Sequence, residues 1–150
     1  MRVYLVIIDE SQEAHGALRF AARRAIDTGG AVHILGLVPK QQFSAFGGVQ
    51  ATIEEEARDR AEVLANSAGG ELMSESGLMP QIAVKVGDGK TVIDEYLAEH
   101  PEVAALVLGA AAEGAPGPLV AHFSARAGSL PCPLFIVPGG LSEEQIDRIS

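Results

Sequence analysis

The sequence predicts an α/β fold in which a parallel sheet is covered by helices on both faces. Two observations predict it. Val3–Ile8 and Ala104–Leu108 are unbroken apolar runs, the pattern of strands buried on both sides. Such runs alternate with segments whose apolar residues recur at helical spacing, and that alternation builds parallel sheets through helical crossovers. In these sheets ligands bind beyond the carboxyl ends of the strands, where the strand order reverses.

Each element has its own local signal. After Val3–Ile8 come Asp9, Glu10 and Ser11, and a helix can take either Asp9 or Ser11 as its cap. Ala14, Leu18, Ala21, Ala22, Ala25 and Ile26 then recur at helical spacing until Gly29–Gly30 stops the helix. Ala31–Val38 is a second strand, closed by Pro39. The stretch from Lys40 to Gln50 reads as a long loop, with Phe43 and Phe46 expected to tuck against the sheet. Thr52 with Glu55 forms a capping box, and the helix behind it is expected to end at Gly69–Gly70.

Ile82, Val84 and Val86 alternate with Ala83 and Lys85, which places a third strand near a sheet edge. Thr91–His100 reads as a short helix stopped by Pro101, Ala104–Leu108 as a buried strand, and Pro118–Leu130 as a helix. Leu134–Val137 is the last strand, and Ser142 with Gln145 caps a short tail helix over about 142–149. No repeat or linker divides the chain, so 1–150 reads as one domain.

The composition agrees with a packed core. Apolar residues make up 47% of the 150 and charged residues 21%, which places the chain among globular proteins and not disordered ones. A net charge of −9, with no run of lysine and arginine, argues against nucleic acid as a partner. Cys132 is the only cysteine, so no disulfide forms within the chain. The first apolar run is cut off by Asp9 and Glu10, too soon for a signal peptide or a membrane span. A cytoplasmic protein that does not enter membranes is the expectation.

Several chemical signals resolve into ordinary structure. Gly87–Thr91 (GDGKT) resembles the tail of a phosphate-binding P-loop, but Val84 stands where the leading glycine belongs, so a helix-capping turn is expected. Asp9–Glu10 would suit a phosphoacceptor pair, with Asp88 as acceptor, yet Pro138, Gly139 and Gly140 follow the last strand where that chemistry needs a lysine. No G-x-S-x-G elbow is present, and His15, His33, His100 and His122 lack the spacing of metal ligands. No acid, base and nucleophile assemble, so no catalytic residue and no metal is assigned.

The loop between Leu108 and Leu119 supports two readings. A helix start presents unpaired N–H groups and the positive end of a dipole, and Gly109, Gly114 and Gly117 permit close approach of an anion. Against this, Pro116 and Pro118 each remove a donor, and no lysine or arginine occurs between Lys90 and Arg126. Pro118 also suits the first position of a helix in a purely structural turn.

The ordered set of segments resembles the universal stress protein family along nearly the whole chain. VYLVIIDESQEAHGALRFAARRAIDTGGAVHILGLV is similar to the family's opening, and VKVGDGKTVIDEYL to its Val-x-x-Gly-(Asp/Asn)-Pro turn, with Gly89 in the proline's place. AALVLGA and LPCPLFIVP resemble its fourth and fifth strands. The resemblance implies an open parallel five-stranded sheet in the order 3-2-1-4-5 with four helices, Asp9 and Gly109 facing each other at the reversal point. It also implies a homodimer joined along the last strand, through Leu134, Phe135, Ile136 and Val137. That strand is apolar and would otherwise leave a bare edge.

Nucleotide-binding members of the family carry Gly, two residues, Gly, nine residues, then Gly-Ser or Gly-Thr after the fourth strand. Gly109 matches the first position, Ala112 replaces the second glycine, and Val120–Ala121 stands near the place of the final pair. Asp9 and Val38 match positions that bracket the adenosine. The adenosine half of the site is thus kept and the triphosphate half altered. Gly114–Pro118 would be a substitute loop for a smaller anion or AMP, using the N–H groups of Leu119 and Val120. The expected function is a non-catalytic, homodimeric stress-response binding protein. The alternatives are an ATP- or AMP-dependent switch, and a slow nucleotide hydrolase that would have to draw on Glu10, Asp88 or Glu113.

Overall fold

The computed structural model describes the backbone of residues 1–40 and 47–150, and the side chains of all of these except 47–50. Phe43 and Phe46 lie outside the described residues. In chain order the elements are β1 (Val3–Ile8), α1 (Glu13–Thr28), β2 (Ala31–Val38), α2 (Gly47–Ser76) and β3 (Gln81–Val86). They continue with α3 (Gly89–Glu99), β4 (Val103–Ala110), α4 (Pro118–Ala125), β5 (Leu134–Pro138) and α5 (Glu143–Ile149). All strand pairs are parallel, in the order β3-β2-β1-β4-β5. The chain winds outward to one side of β1 and then returns to the other, so the order reverses between β1 and β4.

Alternation along the strands feeds two cores. Tyr4, Val6 and Ile8 of β1 face α1, α2 and α5, while Val3, Leu5 and Ile7 face α3 and α4. All six residues of β1 are buried, which is why that run is apolar without a break. Leu5, Leu106 and Phe123 are fully buried, and each such burial stabilises the fold by roughly 1.5–3 kcal/mol.

Four helix boundaries differ from the sequence reading. Neither Asp9 nor Ser11 caps α1; Gln12 holds that position without a side-chain bond, while Asp9 closes a turn on Ser11. The segment after Val38 turns helical from Gly47, so Thr52 lies inside α2 and does not start it. Gly69–Gly70 does not stop α2, because neither glycine adopts a positive φ; the helix runs to Ser76 and stops at Gly77, at φ 74. Gly69 instead sits against Ile82 of β3. Finally, α4 ends at Ala125, where Arg126 at φ −107 leaves helical geometry and a 3-10 turn over Ala127–Ser129 follows.

Other signals are reproduced closely. Gly29 ends α1 in the left-handed conformation, at φ 65, with its N–H on the carbonyls of Ala25 and Ile26. Asp88 caps α3 by accepting from the Thr91 N–H at 3.4 Å, so GDGKT is a capping turn. Ser142 and Gln145 form the reciprocal capping box of α5 at 3.2 and 2.8 Å. The tail helix docks on α1 through buried Ile146 and a two-pronged Arg19–Asp147 bridge at 2.8 and 2.7 Å. Among the described residues, no helix is long and apolar enough to cross a membrane.

Candidate functional site

The register of the central strands builds the site. Leu5 pairs with Leu106 and Val6 with Val107, so Asp9, just past β1, and Gly109, near the end of β4, share one rim of the sheet. A recess of about 80 Å³ opens there, lined by Asp9, Ser11, Glu13, Gly109, Pro116, Gly117, Pro118, Leu119 and Val120, among others. A wider cleft of about 490 Å³ adjoins it and shares Asp9, Ser11, Pro118 and Leu119. Ile8, Leu37 and Pro39 line this cleft from the strand ends, and Ala57, Arg60, Ala61 and Leu64 from α2. Its volume falls within the ~300–1,000 Å³ of small-molecule sites.

Five of the eight residues singled out for a ligand line these spaces. Asp9 and Leu119 line both, while Gly109, Gly117 and Val120 line the recess. Val38 lines neither: its side chain is buried with Ala57 and Ala61, and its carbonyl accepts the Gly87 N–H at 3.0 Å. Its neighbours Leu37 and Pro39 line the cleft instead. Ala112 lies by the Gly139–Gly140 turn beyond β5 and lines neither space. Gly114, at φ 74, sits at an exposed position of the loop away from both.

The loop before α4 is held by its own backbone. The Ala111 N–H donates to the Pro116 carbonyl at 3.1 Å, and Gly117, at φ 113, leads into Pro118 at the first helical turn. No side chain caps α4, so its first N–H groups are left to solvent or a ligand. With Pro118 lacking an N–H, Leu119 and Val120 supply the nearest ones.

The charge around the cleft is mostly negative. Asp9 and Glu10 line the cleft and Asp9 and Glu13 the recess, and Arg60 is the one basic side chain among the described lining residues of the two. Arg60 stands 3.6 Å from Glu10. Asp9 accepts the Ser11 N–H at 2.9 Å and also the Ser11 hydroxyl. Of the acids that a hydrolase would need, Glu10 lines the cleft, Asp88 caps α3, and Glu113 lines neither space. Among the described residues, no group of three or more His, Cys, Asp or Glu is placed to hold a metal ion. Burial pushes the thiol of half-buried Cys132 up, which leaves it less ionised than a free thiol.

Sequence reasoning missed Leu37, Pro39 and Arg60 as lining residues. Leu37 and Pro39 flank Val38 at the end of β2, and strand alternation sends Leu37 to the opposite face from Val38. Arg60 carries no local signal, because only the docking of α2 brings it to Glu10.

An all-parallel, doubly wound sheet with a cleft at the point where the strand order reverses is the arrangement in which open α/β domains place their ligand sites. The chain belongs to the universal stress protein family, whose sequence pattern matches residues 1–138. No curated protein matches it significantly in sequence. Solved structures with this fold include the universal stress protein UspA from Lactobacillus plantarum, 19% identical with a TM-score of 0.77, covering 91% of this chain and 97% of that one. The universal stress protein from Archaeoglobus fulgidus in complex with dAMP is 19% identical, with a TM-score of 0.63 over 91% and 97%. A universal stress protein family protein from Arabidopsis thaliana with AMP bound is 15% identical, with a TM-score of 0.61 over 92% and 92%.

Proposed function

We propose that this universal stress protein is a cytoplasmic homodimer that acts in the stress response by binding, without turnover, and that its cleft takes adenosine or its monophosphate and offers no seat for a triphosphate. The observation that carries this reading is the pairing of a cleft of about 490 Å³ with a recess of only about 80 Å³ that lacks any lysine or arginine. The cleft suits a nucleoside in size and in its mixed apolar lining. The recess gives a single phosphate the N–H groups at the start of α4, but no cation to offset further charge. Similar folds have been solved with dAMP, cAMP and AMP, all monophosphates.

The altered loop supports the same reading. Ala112 lies toward the β5 side, and Pro116 and Pro118 remove N–H groups that a polyphosphate would use. Asp9, Glu10 and Glu13 add like charge at the mouth. Against turnover, two of the three acids at the site are already engaged, Asp9 by Ser11 and Glu10 by Arg60.

For the dimer, the support is the edge position of β5, which among the described residues has β4 as its one neighbour in the sheet. Ile136 is 40% exposed there, and Leu134 and Phe135 are half-buried. Val137 turns into its own core, so only its backbone can take part.

Release of small molecules by heat from natively purified protein tests the reading, with chromatography to identify them. Adenosine or AMP, or an empty cleft that protects residues 109–121 from hydrogen exchange when AMP is added, agrees with it. Stoichiometric ATP contradicts it.

A further inference from the structure

About 13 Å down β2 from the cleft, at the spacing of four strand residues, three rings pack together. His33 is the one buried basic side chain among the described residues, 6% exposed. Its Nδ1 lies 2.9 Å from the Tyr96 hydroxyl of α3. His100, at the carboxyl end of α3, stacks on the Tyr96 ring at 3.9 Å and 14° and donates from Nδ1 to the Tyr96 carbonyl at 2.9 Å. The His100 ring also meets His33 edge-on at 5.9 Å.

The protonation states follow from the burial. Burial, helped by Glu102, pushes the Tyr96 phenol up to about 12, so its hydroxyl keeps its proton and is able to donate. When that hydroxyl donates to His33 Nδ1, the ring is neutral with its proton on Nε2. Burial holds His33 below 6.5; Glu102 opposes that shift and His100 adds to it. The folded state therefore resists the proton that the unfolded chain accepts, so the His33 contribution to stability is complete above pH 6.5 and is lost as the pH falls from there toward the folded value.

The same helix reaches the cleft. Its first residue, Gly89, packs against Leu37 and Leu119: a Cβ there would stand 3.0 Å from one side chain and 3.2 Å from the other. Both leucines line the wider cleft. One rigid element thus joins the buried histidine to the wall of the site.

We propose that His33, Tyr96 and His100 form an acid-responsive latch: a proton on His33 Nδ1 displaces the Tyr96 donor, frees the carboxyl end of α3, and loosens the Leu37–Leu119 wall at its other end. The relevance of that wall to a ligand rests on the reading under Proposed function; the latch itself does not.

The test is made on the full chain without ligand, so its failure is distinguishable from failure of the nucleotide reading. Imidazole nitrogen shifts are followed by NMR against pH. Hydrogen exchange, corrected for its intrinsic pH dependence, is compared at about pH 7.5 and about pH 5 in the wild type and in His33→Gln, whose amide oxygen accepts from Tyr96 but does not titrate. The expected result is an Nε2–H tautomer that titrates below 6.5. Protection at residues 92–103, and at Leu37 and Leu119, should fall about tenfold for each unit by which the His33 pKa is lowered, and the fall should be absent in His33→Gln. An Nδ1–H tautomer, titration at or above 6.5, or an equal fall in His33→Gln overturns the proposal. Should His33→Gln fail to fold, the wild-type nitrogen titration decides.

Discussion

Gly109, near the end of β4, lies so close beneath Glu13 that a β-carbon built on it would overlap the Glu13 carbonyl oxygen. The first turn of α1 rests directly on β4, and the two together form one side of the recess. The glycine that matches the family's nucleotide loop is therefore also demanded by packing. Its presence alone says nothing about a bound phosphate.

Gly109→Ala should destabilise the protein by about 1–3 kcal/mol through overpacking, because the neighbour is backbone and cannot rotate away. Urea unfolding of nucleotide-free protein checks this. The full loss should be present without any ligand, and an unchanged midpoint would mean that α1 does not sit on β4 as described.

The tail helix is held by a bridge that can be titrated. The hydrogen bonds from Arg19 hold the Asp147 carboxyl below its ordinary 3.8. A carboxylate lowered in the folded state stabilises above its unfolded value and stops doing so as the pH falls through its folded one. Docking of α5 should therefore be complete above about pH 4 and weaken below. Asp147→Asn should raise hydrogen exchange over residues 143–149 at neutral pH while β1 and β4 stay protected. High salt should produce part of the same effect, since Arg19 and Asp147 are partly exposed.

The proposed dimer depends on the β5 edge. Ile136→Lys should convert dimer to monomer at micromolar concentration, as charges on edge strands prevent pairing. Ile136→Val should leave the dimer intact. Light scattering reads both, and a dimer that persists in Ile136→Lys would place the contact elsewhere.

The sheet was legible because burial on both faces leaves a plain mark: β1 and β2 have the bounds that their apolar runs indicate, and the strand order agrees with the family resemblance. Helix ends were less legible where a glycine or capping pair had a second use. Gly69–Gly70 reads as a stop, yet it passes β3 in ordinary helical geometry, and Thr52–Glu55 reads as a cap inside an established helix. Asp9 and Gly109 are legible as strand ends and Leu119 as a helix start, and the family resemblance supplies the strand order that sets Asp9 beside Gly109. Arg60 is not legible, since its pairing with Glu10 depends on how α2 lies over the sheet. Val38 matches the family position for a lining residue, but its side chain packs on Ala57 and Ala61 and its carbonyl already holds Gly87.

The most direct test of the central claim is calorimetric titration of the nucleotide-free protein with adenosine, AMP and ATP, the last with and without magnesium. Adenosine and AMP should bind with affinities within about tenfold of each other, a difference of about 1.4 kcal/mol, and ATP should bind no tighter than AMP. ATP binding well over tenfold tighter than AMP, or no binding by any of the three, would contradict a cleft that ends at the first phosphate.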